Sequence, residues 1–85
     1  MIDAEETPNF ASASLNGTIW KIKAAVGDVI KSPDQVVVIL EAMKTEINVT
    51  AGEDNIGLKV SGFAKGIREG TTVQAGDKLV YFVEA

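Results

Sequence analysis

Residues 36–49 read Val36-Val37-Val38-Ile39-Leu40-Glu41-Ala42-Met43-Lys44-Thr45-Glu46-Ile47-Asn48-Val49. The five aliphatic residues that open this stretch suit a strand buried on both faces. The alternating Glu46-Ile47-Asn48-Val49 suits one buried on a single face. The polar break between them is too short for anything but a hairpin, so Lys44 stands at its tip. A lysine there projects its amine into solvent from a stiff support, as a group that must travel between reaction sites requires.

Outward from this hairpin the chain is a series of short runs rich in Val, Ile, Thr and aromatic residues, at residues 17–23, 28–30, 57–61, 63–68, 72–73 and 79–83, separated by Gly, Pro, Asp and Asn. Many short strands joined by tight turns predict an all-β flattened sandwich or barrel. Residues 64–69 have weak helical composition but carry Gly66 inside and Gly70 after them. Residues 1–14, with Asp3, Glu5, Glu6 and Pro8, hold no sustained period and are read as a linker or disordered arm preceding a domain at residues 15–85.

The chain also repeats itself. Asn16-Gly17, Ile22, Gly27-Asp28, Ile30 and the run 37–40 are echoed by Ser61-Gly62, Ile67, Gly70-Thr71, Val73 and the run 79–82. Two similar halves predict a pseudo-two-fold structure with Gly27 and Gly70 in matching turns of positive φ. The lysine tip and the chain termini then lie at opposite ends.

Composition narrows function. Eighty-five residues make one small domain, and 46% apolar content suffices for a core. With no Cys and no His, thiol chemistry, disulfides, the usual general base and the commonest zinc ligand are missing. A net charge of −4 with dispersed Lys and Arg argues against nucleic acid. No apolar run is long enough to span a bilayer, so no membrane partner is expected, and the acidic start lacks the order of a secretory signal. The expectation is a soluble, cytoplasmic protein.

The hexapeptide Glu41-Ala42-Met43-Lys44-Thr45-Glu46 resembles the signature of the biotinyl (biotin carboxyl carrier) domain family, Ala-Met-Lys preceded by a small or acidic residue, and the resemblance runs from Gly17 to Val83. It implies a barrel-sandwich hybrid of two four-stranded antiparallel sheets. It also implies covalent biotin on Lys44, attached by a biotin protein ligase that meets Glu41, Ala42 and Met43. A biotin carboxylase and a carboxyltransferase would be the further partners, and the domain itself would catalyse nothing.

Lipoyl domains of oxo-acid dehydrogenases and the glycine cleavage system share the fold but typically have an acidic residue before the lysine, so Met43 points to biotin. An unmodified adaptor domain is a third reading. Three features depart from the common pattern: Thr45 in place of a second Met, the turn Ser32-Pro33-Asp34-Gln35, and a longer link over residues 51–60. Ile19-Trp20-Lys21, the hexapeptide and Ala51-Gly52-Glu53-Asp54-Asn55 look most like the carrier module of urea carboxylase or urea amidolyase.

Other features read more plainly. Glu41 and Glu46 bracket the turn, and a domain this small has no pocket to raise a carboxyl pKa, so recognition or solubility is expected rather than acid–base work. Glu53-Asp54 reads as a solvated loop, and the glycines form no phosphate-binding fingerprint. Trp20, Phe63, Tyr81 and Phe82 are assigned to core or sheet faces.

Overall fold

The aliphatic run at Val36–Ala42 forms the strand around which the larger sheet is built. In the computed structural model residues 5–85 are described, and they form seven strands: β1 (Asn9–Ser12), β2 (Gly17–Ile22), β3 (Val36–Ala42), β4 (Thr45–Thr50), β5 (Leu58–Phe63), β6 (Thr72–Val73) and β7 (Lys78–Glu84). One sheet has the order β4-β3-β2-β6 and the other β1-β7-β5, with every pairing antiparallel. Among the described residues the only helical segment is a 3-10 turn at Glu53–Asn55, and no helix is long and apolar enough to cross a membrane.

The core lies between the sheets. Val38, Leu40, Val49 and Ile19 from the first meet Val60, Phe63, Val80 and Phe82 from the second, all buried. Alternation explains the choice: Val38–Val49 and Leu40–Ile47 are cross-strand pairs on the inner face, whereas Glu41–Glu46 and Ile39–Asn48 face outward. Phe63 and Phe82 are thus core residues as expected. Trp20, assigned to the core or a sheet face, takes a sheet face: it sits in β2 where the β2–β3 register shifts between Ile19 and Lys21, and it is 43% exposed.

The halves exchange partners across the pseudo-two-fold. Gly27 N–H donates to Val60 O and Val60 N–H to Asp28 O, each at 2.8 Å; Gly70 N–H donates to Ile19 O at 2.7 Å and Ile19 N–H to Thr71 O at 2.8 Å. Ala51 N–H to Gln35 O and Ala13 N–H to Asp77 O form another matched pair. Gly27 and Gly70 have φ of 95° and 92°, the left-handed conformation expected of these turns.

Three expectations need correction. The second sheet has three strands, not four, because residues 28–30 contribute only the bridge Val29–Lys59. Lys31 N–H is already taken by Gln35 Oε1, and Pro33 has no N–H to extend a ladder. The arm proposed for residues 1–14 is shorter, since Asn9–Ser12 pair with β7 and Thr7 Oγ1 donates to Phe82 O at 2.9 Å; residues 1–4 lie outside the described residues. Finally, 57–61 and 63–68 are not two strands. Leu58–Phe63 is one strand with a register shift between Val60 and Gly62, and turns follow it.

Tyr81 faces outward between its cross-strand neighbours Phe10 and Gly62, yet its ring is covered. Desolvation, then the negative charge of Glu6, holds its phenol above its ordinary range. As the sole tyrosine, it titrates without overlap from others. Its phenolate absorbance should therefore develop at higher pH in folded than in urea-unfolded protein. The raised value stabilises the fold below the unfolded pKa of about 10, and that contribution is lost as pH rises through the folded value. Coincident folded and unfolded titration curves would contradict this environment.

Candidate functional site: the β3–β4 hairpin tip

Ala42 and Thr45 pair across a two-residue turn made of Met43 (φ 50°) and Lys44 (φ 63°). Two successive positive φ values define a type I′ turn, whose twist matches that of the flanking strands. Asn-Gly fills such turns without strain; Met and Lys do not, because an L side chain in this region costs about 1–2 kcal/mol. The hairpin register is unbroken from Val38–Val49 to Ala42–Thr45, and two of its inward pairs are anchored in or against the core. The strained turn therefore rests on a stiff ladder. Replacing Met43 with asparagine should raise stability by about 1 kcal/mol and Tm by roughly 4 °C, read in a thermal melt; an unchanged or lower Tm would argue against the left-handed turn.

The four residues singled out from sequence gather here. Lys44 is exposed, Met43 is 97% exposed and so wholly available to a partner, Ala42 is half-buried at the turn's base, and Glu41 points outward. Glu46 lies directly opposite Glu41. Like charges so placed are mildly destabilising, and both side chains are exposed. Glu53 and Asp54 lie on the separate 3-10 turn, which Asn55 ties down by donating from Nδ2 to Ala51 O at 2.8 Å and Phe10 O at 3.4 Å. Among the described residues no three His, Cys, Asp or Glu side chains gather as a metal site.

A depression of 380 Å³, open to solvent, is lined by Glu6, Lys65, Ile67, Asp77 and Tyr81 among others and includes no hairpin residue. It is a surface hollow apart from the tip. Sequence reasoning missed one contact of the site, the approach of Gly17 to the hairpin base; the repeat pairing Gly17 with Gly62 was the available signal.

A flattened β sandwich that presents an exposed lysine at the tip of a hairpin between paired strands has the build of a carrier domain. The chain belongs to the biotin–lipoyl family, whose model, described as biotin-requiring enzyme, matches residues 6–82. It is 41% identical over 68 residues to a candidate urea carboxylase of Emericella nidulans, covering 80% of this chain and 5% of that protein. It is 39% identical over 74 residues to the biotin carboxyl carrier protein of Streptococcus mutans, covering 85% of this chain and 51% of that one. The chain thus spans at most about half the length of these curated relatives. Among solved structures, the urea carboxylase of Kluyveromyces lactis superposes with a TM-score of 0.75 at 35% identity over 98% of this chain and 7% of that one. A single-chain, multi-domain long-chain acyl-CoA carboxylase superposes with a TM-score of 0.73 at 25% identity, over 96% of this chain and 8% of that one.

Proposed function

We propose that this chain is a biotin carboxyl carrier domain with Lys44 Nζ as the attachment atom, working within a urea carboxylase or urea amidolyase. The observation that carries the reading is the position of Lys44 on an exposed, rigid type I′ turn at the end of the β3–β4 ladder. Lysine amines are protonated in neutral water and weakly nucleophilic, so attachment needs a ligase. Once deprotonated in that enzyme, Lys44 Nζ would form an amide with the carboxyl carbon of biotin, activated there by ATP as an anhydride with AMP, as the carbon–oxygen bond to the phosphate breaks and AMP leaves. The fit is chemical: the tip offers an unenclosed amine, and the apolar, flexible Met43 beside it offers a ligase an adaptable contact, with Ala42 too small to obstruct and Glu41 supplying a charge.

When bound, biotin supplies a ureido nitrogen that takes up and gives back a carboxyl group. The chain's own part is to hold that group on a stiff arm and raise its effective concentration at a biotin carboxylase and a carboxyltransferase elsewhere in the parent enzyme. No residue of the domain has a catalytic role in this scheme. The relatives named for biotin and for urea carboxylase support biotin over lipoate. We place the domain in the cytoplasm and its start before β1.

Incubation with biotin, ATP and a biotin ligase should add one biotinyl group, mapped to the peptide that holds Lys44. Biotin found instead at Lys31, Lys59 or Lys65 would sink the assignment. For the parent, biotinylated protein added to a urea carboxylase stripped of its own carrier should restore urea-dependent ATP hydrolysis, to a reduced degree because the parts are untethered. Restoration of a pyruvate or acyl-CoA carboxylase but not of the urea enzyme would remove the urea assignment and leave biotin standing.

A further inference from the structure

Gly17 opens β2 beside the base of the Lys44 hairpin, paired with Val73 of β6, while its neighbour Thr18 lies between Glu41 and Thr72. Its backbone runs so close to β3 that a Cβ on Gly17 would stand 2.8 Å from the Glu41 carbonyl oxygen and 3.5 Å from Ala42 Cβ. The first distance is an overlap with backbone, which cannot swing aside as a side chain would. At Gly27, Gly52, Gly57, Gly66, Gly70 and Gly76 a Cβ would meet nothing within 4 Å, and glycine serves there for its positive φ. Immediately before Gly17, Asn16 Oδ1 accepts from Ala75 N–H at 2.7 Å and ties the start of β2 to the turn at residues 74–77. β4 is the edge of its sheet, so the lateral support of the hairpin within that sheet comes from β2.

We propose that Asn16-Gly17 is a positioning element for Lys44. Asn16 fixes the start of β2, and the missing side chain of Gly17 lets the Glu41–Ala42 peptide seat against it, setting the direction in which the turn presents the lysine amine. Only Met43 and Lys44 lie between Ala42 and Thr45, so a displacement of that peptide passes straight to the tip. The inference rests on the reading of Lys44 as the biotin-attachment residue.

In Gly17→Ala the Glu41 carbonyl must retreat, and misplacement of a reacting group by about 1 Å can cost on the order of 100-fold in rate. The ligase kcat/KM for Gly17→Ala should fall about 10- to 100-fold, with shifted amide resonances over residues 41–46. Acylation of Lys44 by a soluble succinimidyl ester of biotin, which needs only an exposed amine, should be unchanged. Gly57→Ala, strained in φ but free of contacts and away from the tip, should lose stability while keeping the wild-type ligase rate. Wild-type kinetics in Gly17→Ala, or equal slowing in Gly57→Ala, would overturn the positioning role and leave attachment at Lys44 intact. A wild-type domain that takes no biotin would remove the attachment reading itself. Should Gly17→Ala fail to fold, Asn16→Ala decides: a fall in kcat/KM of roughly threefold or more with unchanged ester reactivity supports the role, and the wild-type rate overturns it.

Discussion

Lys44→Arg should abolish biotin incorporation, from one group per chain to none. Arginine keeps the charge and nearly the length of lysine, yet its guanidinium stays protonated and offers no nucleophilic nitrogen. The ladder from Val38–Val49 to Ala42–Thr45 and the core beneath it are untouched by an exchange at an exposed position. Stability should therefore hold within about 0.5 kcal/mol, so that loss of modification reports chemistry and not unfolding. The variant keeps Lys21, Lys23, Lys31, Lys59, Lys65 and Lys78, none of which stands on a two-residue turn joining two paired strands. Intact-mass measurement after ligase treatment checks the result, and a biotinyl group on any of those six in the variant would refute the role of Lys44.

Phe82→Ala should cost about 3–5 kcal/mol. Phe82 is fully buried on β7, the central strand of its sheet, where it pairs with Asn9 of β1 and Val60 of β5. Truncating it opens a void that two strands and the facing sheet cannot close without giving up their register. A small domain holds only about 5–15 kcal/mol in total, so the variant should be marginal or unfolded at 25 °C. Urea denaturation followed by circular dichroism measures this, with an unchanged slope where the variant still folds, indicating that the surface exposed on unfolding is the same. A loss below about 1 kcal/mol would mean that the ring is not enclosed as described.

What the sequence reveals follows how local the determinants are. The hairpin was legible because a doubly buried strand, a two-residue turn and an alternating strand lie side by side along the chain, and all four tip residues come with them. The exchanged turns at Gly27 and Gly70 were legible through repetition. β1 was not, because Asn9-Phe10-Ala11-Ser12 has no strand signal of its own and becomes a strand only by pairing with β7, some seventy residues away in sequence. Gly62 read as punctuation between two strands, whereas a register shift beside it lets β5 run through. The contact of Gly17 with Glu41 joins residues far apart in sequence, and no pattern around Gly17 alone announces it.

The reciprocal hydrogen bonds between the halves bear on biosynthesis. Ile19, which flanks the strand beneath the hairpin, completes its bonding with Gly70 and Thr71, and the inner face of β3 is covered by residues of β7. A nascent chain that has emerged only as far as Lys44 has neither, and at about 5–20 residues per second the missing strands follow some seconds later. The lysine is synthesised early but held in its final geometry late. A ligase that demands the folded hairpin would thereby act as a quality filter, passing over truncated products of translation and spending biotin and ATP only on chains that already include β7.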